Sequence, residues 1–336
     1  MEKLKTGILL VNLGTPDSPS TGDVRKYLRE FLSDPRVTDI NPIGRFLLVN
    51  LIIAPFRSPK SAKLYKCIWT EKGSPIMEYT KQQKAGVAQL LGPDYHVEYA
   101  MRYQSPSLEE VLERFKQPVY KKIKVIPLFP QYASATTGSV HEKIMTIVSK
   151  WQVVPEIEFI NSFCNDAGMI NCFAENGKAL NPDSYDHIVF SFHGLPQRQI
   201  RKSDCFNHCL KPNCCDMLTE KNAFCYSAQC FETARKIAAV LQLPKERYTV
   251  SFQSRLGRDP WVMPYSDQII KDRGKRGDKR LLFFAPAFVS DCLETIHEIG
   301  VEYEELFKEH GGEHLHLVPS LNDSPEWIKV LANMAR

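Results

Sequence analysis

The sequence has no apolar run long enough to span a bilayer, no glycine-rich phosphate loop and little net charge. Its longest apolar stretch, Phe46 to Phe56, carries Asn50 and falls well short of the ~20 residues that a membrane helix needs. No Gly-x-Gly-x-x-Gly follows any candidate strand, which argues against a nucleotide-binding α/β protein. A formal charge of +4 over 336 residues is too small and too scattered for nucleic-acid binding, so no nucleic-acid partner is expected. Basic runs such as Lys121-Lys122 and Lys271 to Arg280 read as solvated faces. Met1 to Leu13 has a lysine-containing head, but the apolar run from Ile8 to Val11 is too short for a secretory signal and reads as a first strand. The protein is therefore expected in the cytoplasm.

What is present is an ordinary globular composition, 43% hydrophobic and 24% charged, enough for a sizeable core. Three apolar segments recur in the same order in each half. The first set is Gly7 to Leu13, Val97 to Tyr103 and Lys124 to Phe129; the second is His187 to Phe192, Tyr248 to Gln253 and Leu281 to Ala285. The first and third of each set are nearly unbroken apolar runs, as in the central strands of a parallel sheet covered on both faces. Ile157 to Ile160 reads as a further strand. Helical patterns intervene at Thr80 to Leu91, Ser107 to Phe115, Ser139 to Trp151, Ala228 to Leu241 and Asp291 to Phe307. A closing helix follows Leu321-Asn322-Asp323, with Ser324 as N-cap and Pro325 in the first turn. Strands alternating with helices, twice over, predict an α/β fold of two similar Rossmann-like domains with parallel sheets, residues 1–165 and 166–336.

Ligands of such sheets sit beyond the carboxyl ends of the strands, and three groups of residues stand out. His193 directly follows a buried strand in Ser191-Phe192-His193-Gly194-Leu195-Pro196. It is either a proton acceptor aimed at a ligand or a core histidine bonded to backbone. Ser290 or Asp291 can cap the helix that follows, and Asp291, Glu294, Glu298, Glu302 and Glu305 then share one helical face. That stripe is either a solvated face or, at its first turn, a source of carboxylates for a metal or for protons. Six of the ten cysteines, Cys205, Cys209, Cys214, Cys215, Cys225 and Cys230, crowd into residues 205–230. In a reducing compartment such density points to thiolate ligation of an iron–sulfur cluster or of zinc. Two weaker stretches are Pro42 to Tyr65, apolar then basic, and Gln253 to Trp261, which puts arginine and tryptophan beyond a strand end.

These motifs together resemble the ferrochelatase family. The similarity runs through Leu10 to Pro16, Arg57-Ser58-Pro59-Lys60, Gly73-Ser74-Pro75-Ile76, Met101-Arg102-Tyr103, Pro127 to Tyr132, Thr136-Thr137-Gly138, Ser191 to Pro196, Phe252 to Pro264, Ala287 to Thr295 and Leu321-Asn322. The resemblance implies a porphyrin cleft between the two domains, with a porphyrin and Fe²⁺ as substrates and protohaem as product. It implies His193 and Glu294 as the metal-site and proton-transfer pair, with Asp291 beside them. It places Leu13, Arg57, Tyr65, Tyr132, Trp261 and Phe288 near the macrocycle. It also suggests a monomer or homodimer with an apolar lip on the inner membrane.

Two departures follow. Animal-type members place one cluster cysteine where this chain has Ser134 and three in a C-terminal extension, whereas here the cysteines lie in an insertion at 203–230. The resemblance to bacterial members with an internal [2Fe–2S] cluster implies Cys205, Cys209, Cys214 and Cys225 as ligands, with Cys215 the alternative to Cys214. Cys230 lies in Tyr226 to Cys230, a stretch like that of cluster-free members. Cys292 stands where some relatives have histidine, so that position is no indispensable base. The rivals to this reading are a chelatase that puts cobalt or nickel into another tetrapyrrole, and a haem- or iron-binding redox sensor. Retention of His193 and Glu294 argues against the sensor.

Overall fold

The computed structural model describes residues 4–117, 119–255, 257 and 259–336. Residues 1–3 of the opening segment, and Leu256 and Arg258 of the 253–261 segment, lie outside the described residues. The chain forms two compact units. One comprises Met1–Phe129, Ser134–Asn161 and Asn322–Arg336; the other comprises Pro130–Ala133 and Ser162–Leu321.

The first unit is built on four parallel strands, β1 (Lys5–Gly14), β2 (Tyr95–Tyr103), β3 (Tyr120–Pro127) and β4 (Glu156–Phe159), in the order β2-β1-β3-β4. Ile8 to Val11 of β1 are fully buried, as a central strand covered on both faces requires. One face packs Leu9, Val11, Ile123 and Val125 against Leu108, Leu112, Val140 and Ile144 of the helices Leu108–Glu113 and Ser139–Val148. Each such side chain contributes about 1.5–3 kcal/mol by leaving water. The basic start of β3 does not face bare solvent. Lys122 pairs with Glu158 and with Glu156 (3.4 Å), and Lys124 pairs with Glu158 (3.1 Å) across the β3–β4 ladder.

The second unit repeats the plan. Strands β5 (His187–His193), β6 (Tyr248–Gln253), β7 (Arg280–Phe284) and β8 (His314–Leu317) run parallel in the order β6-β5-β7-β8. Leu281, Phe283 and Val189 pack with Ile299, Phe307 and Leu315. The repeat extends to a detail after each first strand. Gly14, at φ +115°, lies where a Cβ would meet the Tyr103 carbonyl oxygen at 2.0 Å; a Cβ on Gly194 would meet that of Gln253 at 2.8 Å. In each unit the chain can press against the end of the neighbouring strand only because no side chain intervenes.

One segment departs from the sequence expectation. Asp291 to Phe307 is not one α-helix capped by Ser290 or Asp291. It is a π-helix over Glu294–Tyr303 followed by an α-helix over Glu304–Glu309, and its N-cap position falls on Leu293 with no side-chain cap. Thr295 takes over the start: its hydroxyl accepts from the Cys292 N–H (3.0 Å) and donates to Asp291 Oδ1 (2.9 Å). The segment 42–68 is helical throughout, as Pro42–Leu47, a π turn Leu48–Ile53 and Ala54–Ile68. Among the described residues, no helix is long and apolar enough to cross a membrane.

The closing helix, Pro325–Ala335, is capped by Ser324 Oγ, which accepts from the Trp327 N–H (3.4 Å), and it packs on the helix Pro75–Leu91 of the first unit. Gly86 makes the contact possible, since a Cβ there would meet Ile328 Cγ2 at 2.7 Å. Gly86→Val is expected to cost about 1–3 kcal/mol by overpacking, read as a lower urea midpoint. Most of that loss should vanish in an Ile328→Ala background. Equal losses in both backgrounds would contradict this packing.

Candidate active site

His193 is the last residue of β5, half-buried at the carboxyl end of its sheet. Its Nδ1 lies 2.8 Å from the Gly194 carbonyl oxygen. A carbonyl only accepts, so Nδ1 carries the proton in the neutral ring and Nε2 presents its lone pair. The backbone is held as well: the Tyr226 hydroxyl donates to the His193 carbonyl (2.8 Å), and the Gly194 N–H donates to that of Gln253 (2.8 Å). Trp261 closes over this turn. It forms an isolated bridge with Pro196, its carbonyl accepts from Gln197 Nε2 (3.2 Å), and its ring comes within 3.1 Å of a Cβ built on Gly194.

The acidic stripe divides along its length. Glu302 and Glu305 are exposed, while Asp291, Glu294 and Glu298 are partly or mostly buried. Glu298 is the member that selection by spacing alone passed over as a site residue. Its Oε2 accepts from Ser254 Oγ (2.6 Å) and Gln253 Nε2 (3.2 Å), and its Oε1 accepts from the Tyr303 hydroxyl (3.3 Å). Gln253 is itself fixed from behind by Ser191 Oγ (2.7 Å), which lies 2.8 Å from Ser266 Oγ. Burial raises the Glu298 pKa, against the lowering effects of the Ser254 hydrogen bond and the nearby His193 charge; Glu294 pushes it up further. His193, Glu294 and Glu298 thus share one electrostatic neighbourhood. The signal in the sequence was Gln253 at the end of β6 and the Ser254 that follows it, donors that a carboxylate leaving water needs.

Cys292 is not an idle replacement. Its thiol is buried, and burial, then the nearby Glu294 carboxylate, drives its pKa well up, which keeps it protonated. Phe288 packs partly buried against the β5–β7 core, and Tyr132 sits edge-on to Phe224 (5.4 Å) with its N–H donating to Gln229 Oε1 (2.7 Å). Three candidates belong to the first unit. Leu13 is half-buried near the end of β1 and Arg57 is exposed on the helix Ala54–Ile68. Tyr65 is 8% exposed, edge-on to Tyr27 and Trp69.

In the insertion, Cys209 and Cys225 are buried, Cys214 and Cys215 are half-buried and Cys205 is exposed. Burial raises the pKa values of Cys209 and Cys214, and a hydrogen bond with Cys225, then burial, raises that of Cys215. Among the described residues, no three His, Cys, Asp or Glu side chains are gathered around a point where one metal ion would sit.

The doubled α/β fold is the one found in solved metal chelatases. SirB from Bacillus subtilis with Fe³⁺ superposes with a TM-score of 0.54 at 14% identity over 98% of this chain and 94% of that one. The sirohydrochlorin chelatase SirB from Bacillus subtilis subspecies spizizenii in complex with cobalt gives 0.54 at 13% over 99% and 94%. The ferrochelatase family model matches residues 5–336. Ferrochelatase of Legionella pneumophila (strain Lens) is 42% identical over 331 residues, covering 98% of both chains. That of Coxiella burnetii (strain Dugway 5J108-111) is 42% identical over 341 residues, covering 99% of this chain and 93% of its own. The chain belongs to the ferrochelatase family, enzymes that insert iron into a porphyrin.

The buried Glu298 has a testable cost. With its pKa raised in the folded state, the folded protein holds a proton that the unfolded chain releases. That contribution is fully present below the unfolded glutamate pKa and is lost as pH rises through the folded value. Glu298→Gln should therefore flatten the fall in stability as pH rises from about 4.5, measured by urea midpoints in buffers of rising pH. A variant with the wild-type slope would contradict the assignment.

Proposed function

We propose that the chain inserts Fe²⁺ into protoporphyrin IX to make protohaem, the last step of haem synthesis, with coproporphyrin as the substrate to test against it. The observation that carries the reading is His193, whose Nε2 is left as a base by the Nδ1–Gly194 bond, in the same electrostatic neighbourhood as Glu294 and Glu298. Metal insertion removes two protons from pyrrole nitrogens and strips water from the iron. His193 Nε2 accepts the pyrrole protons. Glu294, Asp291 and Glu298 receive the ion as it loses water and carry protons towards the exposed Glu302 and Glu305. A planar macrocycle hides its lone pairs in the ring plane. Leu13, Trp261 and Phe288, with Tyr132 and Tyr65, hold it bent, at a strain of about 1–5 kcal/mol drawn from binding. Arg57 faces a propionate.

The insertion is proposed to hold a [2Fe–2S] cluster. The thiols fit such a group in one respect: Cys214 Sγ and Cys215 Sγ lie 3.7 Å apart, about the 3.8 Å between two sulfurs on one tetrahedral metal with ~2.3 Å bonds. When bound, the cluster supplies a redox-responsive staple to a loop with little core of its own. The enzyme is placed in the cytoplasm with a peripheral membrane contact. Ile43, Phe46, Leu47, Leu51, Ile52 and Phe56, all exposed, support that contact, with Arg45 and Lys60 alongside for anionic headgroups.

Anaerobic turnover with Fe²⁺ and protoporphyrin, followed as haem absorbance, is expected for the wild type. His193→Ala should abolish it with far-UV circular dichroism unchanged. A fully active His193→Ala removes the role assigned to that ring, and turnover with coproporphyrin alone reassigns the substrate. Phe46→Ser/Phe56→Ser should pellet several-fold less with anionic lipid vesicles than the wild type, and equal pelleting would sink the membrane contact.

A further inference from the structure

Strand β5 is covered on both faces from His187 to Phe192, and Ser191 is its one hydroxyl. A hydroxyl in such a place costs free energy unless its hydrogen bonds are made. The first unit, built on the same plan, does without it. Three residues before Gly14, where the second unit has Ser191 three before Gly194, stands Val11, equally buried. The fold itself therefore does not require a polar group at this point of the central strand.

The work of Ser191 can be read from the direction of its hydrogen bonds. Its Oγ lies 2.7 Å from Gln253 Oε1 and 2.8 Å from the Oγ of Ser266, the first residue of the helix Ser266–Lys275. Ser266 Oγ lies 2.8 Å from the Oγ of Ser251, the partner of Ser191 across the β5–β6 ladder. The three serines and Gln253 are all buried. An amide oxygen only accepts, so Ser191 gives its single proton to Gln253. Ser266 must then donate to Ser191, and Ser251 to Ser266. The file runs one way and ends on an amide whose oxygen is occupied. That leaves the NH₂ end of Gln253 for Glu298 Oε2, at 3.2 Å. Turned over, the same amide would set its oxygen against the carboxylate, and Glu298 would keep only the Ser254 and Tyr303 hydroxyls as donors.

We infer that Ser191 is a positioning residue for iron: through Gln253 it keeps an NH₂ group, and not an amide oxygen, on Glu298, and so fixes how that carboxylate meets the incoming ion. This rests on the proposed role of Glu298 in receiving Fe²⁺. Ser191 is buried beneath the site and acts through one amide, so its loss weakens the handling of iron and leaves porphyrin binding alone.

The test is anaerobic steady-state kinetics of the full chain, with Fe²⁺ and porphyrin varied in turn. The wild type, Ser191→Ala, Gln253→Met and the double variant are compared. Ser191→Ala should raise the KM for Fe²⁺ about 10-fold and leave the KM for porphyrin unchanged. Gln253→Met should do likewise, and the double variant should be no worse than Gln253→Met alone, because both changes break one path. An unchanged KM for Fe²⁺ in Ser191→Ala, or an equal rise in both KM values, overturns the positioning role. So do losses that multiply in the double variant, since Ser191 would then act by another route. A wild type that turns over neither protoporphyrin nor coproporphyrin with Fe²⁺ overturns the proposed function, and this inference with it. Should Ser191→Ala not fold by circular dichroism, Ser191→Cys, which keeps the volume but only a weak donor, takes its place with the same expectation.

Discussion

The hydrogen bond from His193 Nδ1 to its neighbour's carbonyl is the constraint on which the candidate chemistry depends. It decides which ring nitrogen is a base, and it holds only while Gly194 lies flat against the end of β6. A side chain at 194 would collide with the Gln253 carbonyl oxygen at 2.8 Å. Gln253 in turn contributes its side chain to Glu298 and receives one from Ser191. The last residues of two adjacent strands therefore place the base and one of the carboxylates together, and the buried serines beneath them leave few alternative arrangements.

The opposite wall of this neighbourhood is the π-helix Glu294–Tyr303. π-turns are rare and occur frequently at functional sites. Here the winding goes with an acidic stripe that is half-buried at Glu294 and Glu298 and exposed at Glu302 and Glu305. That gradient, from dry to wet along one helix, suits groups that must take a hydrated ion inward and release protons outward. The Tyr303 hydroxyl, held protonated by burial, donates to Glu298, and the protonated Cys292 thiol lies near Glu294.

The parts of the fold legible in the sequence were those that burial writes into it. The runs Ile8 to Val11 and Ile188 to Phe190 are apolar because both faces of β1 and β5 are covered, and Ser324-Pro325 announces the last helix by its cap. What stayed hidden has little such signature. Strand β8, His-Leu-His-Leu, sits at a sheet edge and buries only Leu315 fully. The π winding leaves no mark, because the same residues satisfy an α-helical pattern until Thr295 competes for the cap. The site was visible as His193 and an acidic face. Glu298 was not singled out, because its role comes from Ser254 and Gln253, which sequence distance separates from it. Crowded thiols were equally visible, but that Cys214 and Cys215 bring their sulfurs to 3.7 Å was not.

The claim at the centre of this account is that the neutral His193 ring carries its proton on Nδ1 and leaves Nε2 free to accept one. Nitrogen-15 spectra of histidine-labelled enzyme, with the His193 signals identified by their loss in His193→Ala, test it directly at a pH where the ring is neutral. The account predicts a pyridine-like Nε2 and a pyrrole-like Nδ1. The reverse pattern would mean that Nε2 carries the proton and that His193 cannot be the group that accepts one from the porphyrin.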